Sequence, residues 1–255
     1  MGKDYLKRLF YRVQQLFFGI GEINKGNQGK INFIDVGSVG RLPQPWLSNS
    51  HFIKNALLFE PNESQNLKDN IIKLDVALWK NEEEKDFHVY KNSHGSSLFL
   101  QNHEFIENKF DELNTKGNKK LNMSWHKRSK RVKTIKLECT TLDKVLERHN
   151  PRDIPFHFLK VDAQGAEYEI LLGAKNFINS DNCIGMQLEL FNIPMYKGIK
   201  LKKEVIDFLD NAGYKILKEL PFHGSFLSQN DVVFIKKDIK DQFIPLAELI
   251  HRVYK

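Results

Sequence analysis

One stretch of the chain, residues 157–167 (HFLKVDAQGAE), constrains the fold more than any other. Its first half is rich in apolar residues and ends at Asp162, a polar turn containing Gly165 follows, and an apolar pattern with helical spacing begins at Tyr168. This order is typical of a buried parallel strand that turns sharply into a helix. In open α/β sheets, ligands bind just outside the carboxyl ends of such strands. We therefore expect Asp162 to lie at a ligand site.

Two earlier segments have the same strand-end pattern. The strand predicted from residue 31 ends at Asp35 and a turn that contains Gly37 and Gly40, and the strand predicted from residue 56 ends at Glu60. Glu60 follows Gly40 by 20 residues, the interval at which nucleoside-binding folds present a carboxylate to ribose hydroxyls. Pro61 then ends the second strand. Three acids at three strand ends predict one shared ligand site.

Strand and helix patterns alternate along most of the chain, which predicts an α/β fold. Further strands are predicted at 71–78, 87–90, 134–139, 183–190, 214–220 and 231–236. The last two are joined by a loop without a helix. We assign residues 31–237 to this domain, residues 1–30 to an amphipathic helix and linker, and residues 238–255 to a C-terminal helix.

The positive charge of the chain is concentrated in one segment. Residues 116–136 contain nine Lys or Arg and no acid, and without them the formal net charge of +7 would become −2. The segment belongs to a stretch of weak periodicity, 91–133, which we interpret as an irregular insertion that selects the substrate. Three interpretations of the basic run stay open: a solvated loop, recognition of an anionic acceptor or membrane, and contact with nucleic acid.

Several classes of site are not supported by the sequence. The two cysteines form no C-x-x-C pair, and the nine histidines show no H-x-x-x-H or H-E-x-x-H spacing, so no metal site is predicted. No apolar stretch is long enough to span a bilayer. We expect a cytoplasmic protein, with peripheral contact at the inner face of the membrane through the N-terminal helix or the basic run.

The strand ends also narrow the choice of ligand. The turn after the first strand lacks G-x-G-x-x-G, and no P-loop is present, so a pyrophosphate would be held poorly. A nucleoside with an amino-acid tail fits better. Gly37 would let the backbone approach the tail, Glu60 would accept hydrogen bonds from the ribose, and the strand edge at Asp75 to Ala77 would flank the base. S-adenosylmethionine is a ligand of this kind.

Five motifs together resemble the FkbM family of methyltransferases. They occur in the order IDVG (34–37), FEP (59–61), VAL (76–78), TLD (141–143) and LKVDAQGAE (159–167). The resemblance covers about residues 31–237. It implies a class I methyltransferase fold, Rossmann-like, with helices on both faces of a seven-stranded sheet whose last two strands form an antiparallel pair. It also implies S-adenosylmethionine as the cofactor and O-methylation of a sugar or polyketide hydroxyl.

The resemblance assigns roles by position. Asp35 and Gly37 fall in the first cofactor motif, Glu60 at the ribose, Asp162 near the methionine end and acceptor, and Glu189 at an acid common on the fifth strand. Two positions depart from the family pattern: Arg41 stands at the second glycine of the first motif, and Gln164 stands where the family often has Glu. The predicted cofactor-binding residues are Asp35, Gly37, Ser38, Gly40, Glu60, Pro61, Asp75, Ala77 and Asp162. The predicted catalytic residues are Asp162, Glu189 and Glu167.

These observations predict an S-adenosylmethionine-dependent O-methyltransferase that acts on a sugar hydroxyl of a bacterial surface or secreted glycan. Two alternatives are an RNA methyltransferase that uses the basic run at 116–136 and a catalytically inactive cofactor-binding module. Amino-methylation of a nucleic-acid base would require an Asp/Asn-Pro-Pro-Tyr/Phe motif after the fourth strand, where this chain has Asp162-Ala163-Gln164-Gly165. Nucleic acid is therefore the least favoured partner.

Overall fold

A computed structural model describes residues 29–38, 42–60, 71–149 and 154–255. Within these residues the chain forms ten strands: β1 Ile31–Val36, β2 Ile53–Phe59, β3 Ile71–Leu74, β4 Ala77–Leu78, β5 Glu83–Tyr90, β6 Arg131–Thr140, β7 Phe158–Val161, β8 Gly185–Phe191, β9 Tyr214–Glu219 and β10 Gln229–Lys236. The predicted N-terminal helix, Gly40 and Pro61 lie outside the described residues.

Seven strands form one sheet in the order β3-β2-β1-β7-β8-β10-β9. The first five are parallel, and β10 runs antiparallel to both β8 and β9. The predicted fold class is therefore confirmed, including the closing antiparallel pair. The strand order reverses between β1 and β7, and a ligand crevice is expected at such a switch point.

Helices cover both faces of this sheet because its central strands are apolar on both sides. Every residue of β1 and β8 is buried. Outside residues 91–133, the α-helices of the described chain are α5 Leu142–His149, α6 Glu167–Leu172, α7 Lys175–Asn179, α8 Lys202–Asn211 and α9 Ile244–Val253. One face holds the larger apolar core, and the other is closed by α9 with the aromatic rings of Phe33, Trp46 and Phe158 in mutual contact.

The strand predicted at 71–78 proved to be two strands in two sheets. β3 joins the main sheet and ends at Leu74, whereas β4 pairs with β6 in a separate three-stranded sheet of order β4-β6-β5. The prediction was wrong here because a continuous apolar pattern does not reveal a change of partner. The half-buried residue Asp75 lies at the break.

The insertion predicted to be irregular contains four short α-helices. Its helices are α1 His103–Asn108, α2 Phe110–Leu113, α3 Lys119–Met123 and α4 Trp125–Arg128, and together they form what we call the helical cap, residues 103–128. Asn102 and Asn118 cap two of these helices through their side-chain oxygens. Helices of four to six residues are too short to give a recognisable period, which explains the wrong prediction.

The helical cap has its own apolar cluster, which fixes it to the carboxyl end of the main sheet. The cluster contains Ile106, Leu113, Trp125, Phe191, Met195, Tyr196, Ile199 and Phe226. Asn122 adds a polar tie, since its side-chain oxygen accepts a hydrogen bond from the backbone N–H of Phe226 at 2.7 Å. The cap therefore packs over the region where the strand-end acids lie. Among the described helices, none is long and apolar enough to cross a bilayer.

Candidate active site

A cavity of about 420 Å³ lies between the carboxyl ends of the parallel strands and the helical cap. This volume is within the range of small-molecule sites. Residues from strand ends, from the segment before the cap, and from the cap itself line it, among them Gly37, Glu60, Ala77, His94, Gln101, Trp125, Arg128, Asp162, Gln164, Glu189, Tyr196, Ser225 and Gln229. Polar groups thus converge on the cavity from both sides.

The turn after β1 approaches the end of β7 very closely at Gly37. The Gly37 N–H donates to the carbonyl of Phe59 at 2.9 Å, and the residue has a φ of +81°, which favours glycine. A Cβ at this position would lie 1.9 Å from the carbonyl oxygen of Asp162. Glycine is therefore required for the two strand ends to form one wall of the cavity.

A buried lysine lies beneath the strand-end acids. Lys160, whose side chain is 7% exposed, places its Nζ 3.3 Å from Asp162 Oδ2 and 3.6 Å from Asp35 Oδ1. Burial alone would lower its pKa, but the surrounding carboxylates, Asp162 first, hold that pKa above the usual value. Lys160 is therefore a fixed positive charge behind the cavity.

Asp35 is buried behind the cavity and does not line it. Burial raises its pKa to about 6, although Lys160 opposes this shift. Neither carboxylate oxygen has a hydrogen-bond donor among the described residues. The sequence predicted that Asp35 contacts the cofactor. In the structure it contacts Lys160, which in turn contacts the cavity residue Asp162.

Gln164 fixes the relative position of the two acids that line the cavity. Its Nε2 donates to Asp162 Oδ1 at 3.0 Å and to Glu189 Oε2 at 2.6 Å, while its Oε1 accepts from the hydroxyl of Tyr196 at 3.0 Å. Its φ of +52° is unusual for a residue with a side chain. An amide can donate to both carboxyl groups, which an ionised glutamate could not do. Glutamine at position 164, where the resemblance leads one to expect Glu, therefore holds the two acids together.

The surroundings shift the pKa values of the two acids in opposite directions. Burial raises the pKa of Glu189 well above its usual value, and the negative charges of Asp162 and Glu167 raise it further. Burial also acts to raise the pKa of Asp162, but Lys160 and hydrogen bonds to the carboxylate outweigh it and lower that pKa. The ionised form is therefore favoured at Asp162 and disfavoured at Glu189. The Asp162 side chain is 32% exposed, so the ionised acid faces the cavity.

Glu167 supports the loop between β7 and α6 and does not line the cavity. Its Oε1 accepts hydrogen bonds from the backbone N–H groups of Ala163 at 2.8 Å and Gly165 at 3.2 Å. Burial raises its pKa to about 7. These bonds give Glu167 a role in holding the loop, and they provide no contact through which it would act on a substrate.

The structure brings together some of the predicted residues and separates others. Those that line the cavity are Gly37, Glu60, Ala77, Asp162 and Glu189. Asp35, Ser38, Asp75 and Glu167 are not among the lining residues, and Ser38 is buried with its hydroxyl unpaired among the described residues. Gly40 and Pro61 lie outside the described part of the chain.

Several cavity or support residues were not predicted as site residues, among them Lys160, Trp125, Arg128 and Tyr196. Lys160 left a signal in the sequence, since a lysine within an apolar strand requires a buried partner. The other three reach the cavity through contacts distant in sequence, such as the hydrogen bond from Arg128 Nη2 to Ser225 Oγ at 2.6 Å. No local pattern indicates such contacts.

The cavity thus has the ionised carboxylate of Asp162 on its floor, a second acid with a raised pKa beside it, and aromatic and cationic groups on the cap side. Such a site can bind a polar organic molecule and accept a proton from one of its hydroxyls.

Comparison with known families gives one match that covers well over half of the chain. The family model of the methyltransferase FkbM domain matches residues 28–216. The matched region contains the strand ends that carry Gly37, Glu60, Asp162 and Glu189, and it also contains the helical cap. A search of curated proteins found no match.

Proposed function

This chain belongs to the FkbM methyltransferase family, and from that premise we propose that it methylates a sugar hydroxyl of a bacterial surface or secreted glycan with S-adenosylmethionine as the donor. The observation that carries the proposal is the ionised Asp162 on the floor of a cavity that also has Glu60 on its wall. The same cavity thus contains Glu60, a carboxylate suited to the ribose, and Asp162, a carboxylate suited to the acceptor hydroxyl.

The residues at one end of the cavity suit S-adenosylmethionine. Glu60 supplies acceptor oxygens for ribose hydroxyls, and Val76, Ala77 and Leu78 supply an apolar strip for the adenine ring. Gly37 brings the β1 turn close to Asp162, which keeps side chains out of the space for the amino-acid tail. When bound, the cofactor supplies an electrophilic methyl group on a positively charged sulfur.

Asp162 has the properties required of a group that receives the acceptor proton. Lys160 lies 3.3 Å behind it and favours its ionised form, and Gln164 restricts its orientation. The acceptor hydroxyl would pass its proton to this carboxylate while the methyl group moves from the sulfur to the acceptor oxygen, and the broken bond would leave its electron pair on a neutral sulfur. Holding the oxygen in line with the methyl group contributes further to the rate.

The cap side of the cavity suits a sugar. Gln101, Ser225 and Gln229 offer hydrogen-bonding groups for its hydroxyls, and Trp125, which is 3% exposed, adds apolar surface to the wall. Arg128 has no carboxylate partner among the described residues and donates to neutral oxygens of Leu121, Ser124 and Ser225. An acceptor with a carboxylate, sulfate or phosphate near this position would supply the missing counter-charge.

A labelling experiment tests the acceptor class. Host glycan and RNA fractions are incubated separately with the protein and S-adenosylmethionine that carries a labelled methyl group. Label in a glycan sugar is the expected result. Label in RNA would move the assignment to the alternative that uses the basic run, and bound cofactor without transfer to either fraction would favour the inactive binding module.

Glu60→Ala is expected to weaken S-adenosylmethionine binding by roughly 1.5–3 kcal/mol, because hydrogen bonds to a charged group contribute in this range. Isothermal calorimetry on the folded variant measures the effect. Glu83→Ala removes an exposed carboxylate of β5 outside the cavity and is the control. Equal affinities for the wild type and Glu60→Ala would remove Glu60 from the cofactor site.

Arg128→Gln is expected to raise the KM for an anionic acceptor by about 10-fold or more, since it removes a charge-assisted contact. Cofactor affinity should stay unchanged. Lys127→Gln is the matched control because Lys127 is the exposed neighbour and does not line the cavity. If the two variants have the same effect, the basic run acts through general charge and not through a contact in the cavity.

The exposed charges around Arg128 require a separate test. Lys127, Lys130 and Arg131 are exposed. If they attract an anionic acceptor or membrane, the combined change of these residues and Arg128 to Ser should make acceptor kinetics insensitive to salt. Exposed charges are screened over about 10 Å at 0.1 M ionic strength. If the wild-type kinetics do not depend on salt, the basic run at 116–136 is a solvated surface that does not attract the acceptor.

A further inference from the structure

A second cluster of ligand-type side chains lies on the outer side of the helical cap. His103 and Glu107 are four residues apart on α1, which places them on the same face of the helix, and His126 comes from α4. One ligand atom from each lies within 4.8 Å of the others. We propose that His103, Glu107 and His126 bind a divalent transition-metal ion such as Zn²⁺. This proposal does not depend on the methyl-transfer reaction.

The surroundings of the two imidazoles support a metal site. His103 Nε2 lies 3.3 Å from the carbonyl oxygen of Ser129, which suits an N–H donor at that atom and leaves the lone pair on Nδ1. Histidines that bind metals commonly donate their other ring nitrogen to a backbone carbonyl in this way. Both rings also pack against buried Trp125, with centroids 4.8 Å and 5.1 Å away, so their positions are restricted before any ion arrives.

The ligand set selects the class of ion. Two imidazoles and one carboxylate are the three protein ligands of several zinc sites, with water in the remaining position. Imidazole favours Zn²⁺, Ni²⁺ and Cu²⁺ over Mg²⁺ and Ca²⁺, which prefer oxygen ligands. His126 Nδ1 and Glu107 Oε1 are 4.0 Å apart, a separation that one ion can bridge. Their side chains are 45% and 60% exposed, so an ion can reach them without entering the cavity.

An ion at this position would tie α1 to α4. The helix α4 also carries Trp125 and Arg128, both of which line the cavity. The ion would therefore fix the cap segment that forms the acceptor side of the site. Histidine spacing in the sequence does not reveal this cluster, because His126 lies on a different helix, 23 residues after His103.

Titration of the full chain, free of affinity tags and treated with a chelator, tests the proposal. We expect one Zn²⁺ per chain, with a Kd of about 10 µM or lower. The variants His103→Ala, Glu107→Gln and His126→Ala should each weaken binding by at least about 10-fold, since even outer partners of a metal site have effects of this size. His251→Ala is the matched control, because it removes an exposed imidazole from α9 and should leave the Kd unchanged.

A thermal melt provides a second readout that does not depend on activity. Zn²⁺ should raise the Tm of the wild type and of His251→Ala, and it should not raise that of His126→Ala, since a ligand stabilises the state that binds it. Absence of binding at about 100 µM Zn²⁺ would overturn the proposal. Zn²⁺ binding of equal strength in the wild type and in all three ligand variants would do so as well.

Discussion

Replacing Asp162 by Asn is expected to lower methyl transfer by about 10²-fold or more while the protein stays folded, because this is the usual effect of losing an acid–base group. Asn keeps the shape of the side chain and can still accept from Gln164 Nε2. It removes the negative charge that Lys160 favours and that would receive the acceptor proton. The loss should appear in kcat, since the group acts during the reaction.

Two companion variants separate the charge from other effects. Glu189→Gln should reduce kcat far less than Asp162→Asn, because burial and the neighbouring negative charges raise the pKa of Glu189 and disfavour its ionised form, and an amide keeps the shape of the side chain without a charge. Asp86→Asn changes an exposed carboxylate of β5 and serves as a control for expression and assay. Near-normal turnover of Asp162→Asn in a badly destabilised protein would make Asp162 structural and leave the chemistry to another residue.

The fold could be predicted because its central strands have a distinctive composition. β1 and β7 are buried on both faces and each leads to an acid followed by a glycine, so both the strands and their ends are visible in the sequence. In a parallel sheet these ends share one edge, and for that reason Gly37, Glu60 and Asp162 could be assigned to one site from the strand pattern, whereas Glu189 was assigned from the family resemblance alone.

Position along a strand end did not reveal which way each side chain points. Asp35 belongs to β1, and Asp162 directly follows the neighbouring parallel strand β7. Only Asp162 lines the cavity, whereas Asp35 is buried against Lys160. Side chains alternate between the two faces of a strand, so a difference of one position changes the environment completely. The pairing of Asp35 with Lys160 in register across β1 and β7 becomes evident only when the strands are known to be neighbours.

The cap side of the cavity could not be predicted because it is built from contacts distant in sequence. Ser97 donates to the carbonyl of Gln164, 67 residues away, and Arg128 donates to Ser225, 97 residues away. The helix α4, which carries both Trp125 and Arg128, is stabilised by packing against β8 and Phe226 and has little periodicity of its own. A short helix held by tertiary contacts leaves almost no local signal.

Replacing Gly37 by Ala is expected to reduce the free energy of unfolding by about 3–5 kcal/mol, which combines the cost of a positive φ with that of an overpacked contact. The added Cβ would lie 1.9 Å from the Asp162 carbonyl oxygen, so the ends of β1 and β7 would have to separate. Since that separation also moves the floor of the cavity, cofactor affinity should fall as well.

Gly198→Ala is the matched control for this variant. Gly198 has the same φ of +81° as Gly37, but nothing lies within 4 Å of the Cβ position. Its substitution should therefore cost only the backbone term, about 1–2 kcal/mol. Urea unfolding of both variants measures the difference. If both lose the same free energy, the close approach of the β1 turn to Asp162 does not restrict the fold, and the wall of the cavity between these strands is looser than the structure indicates.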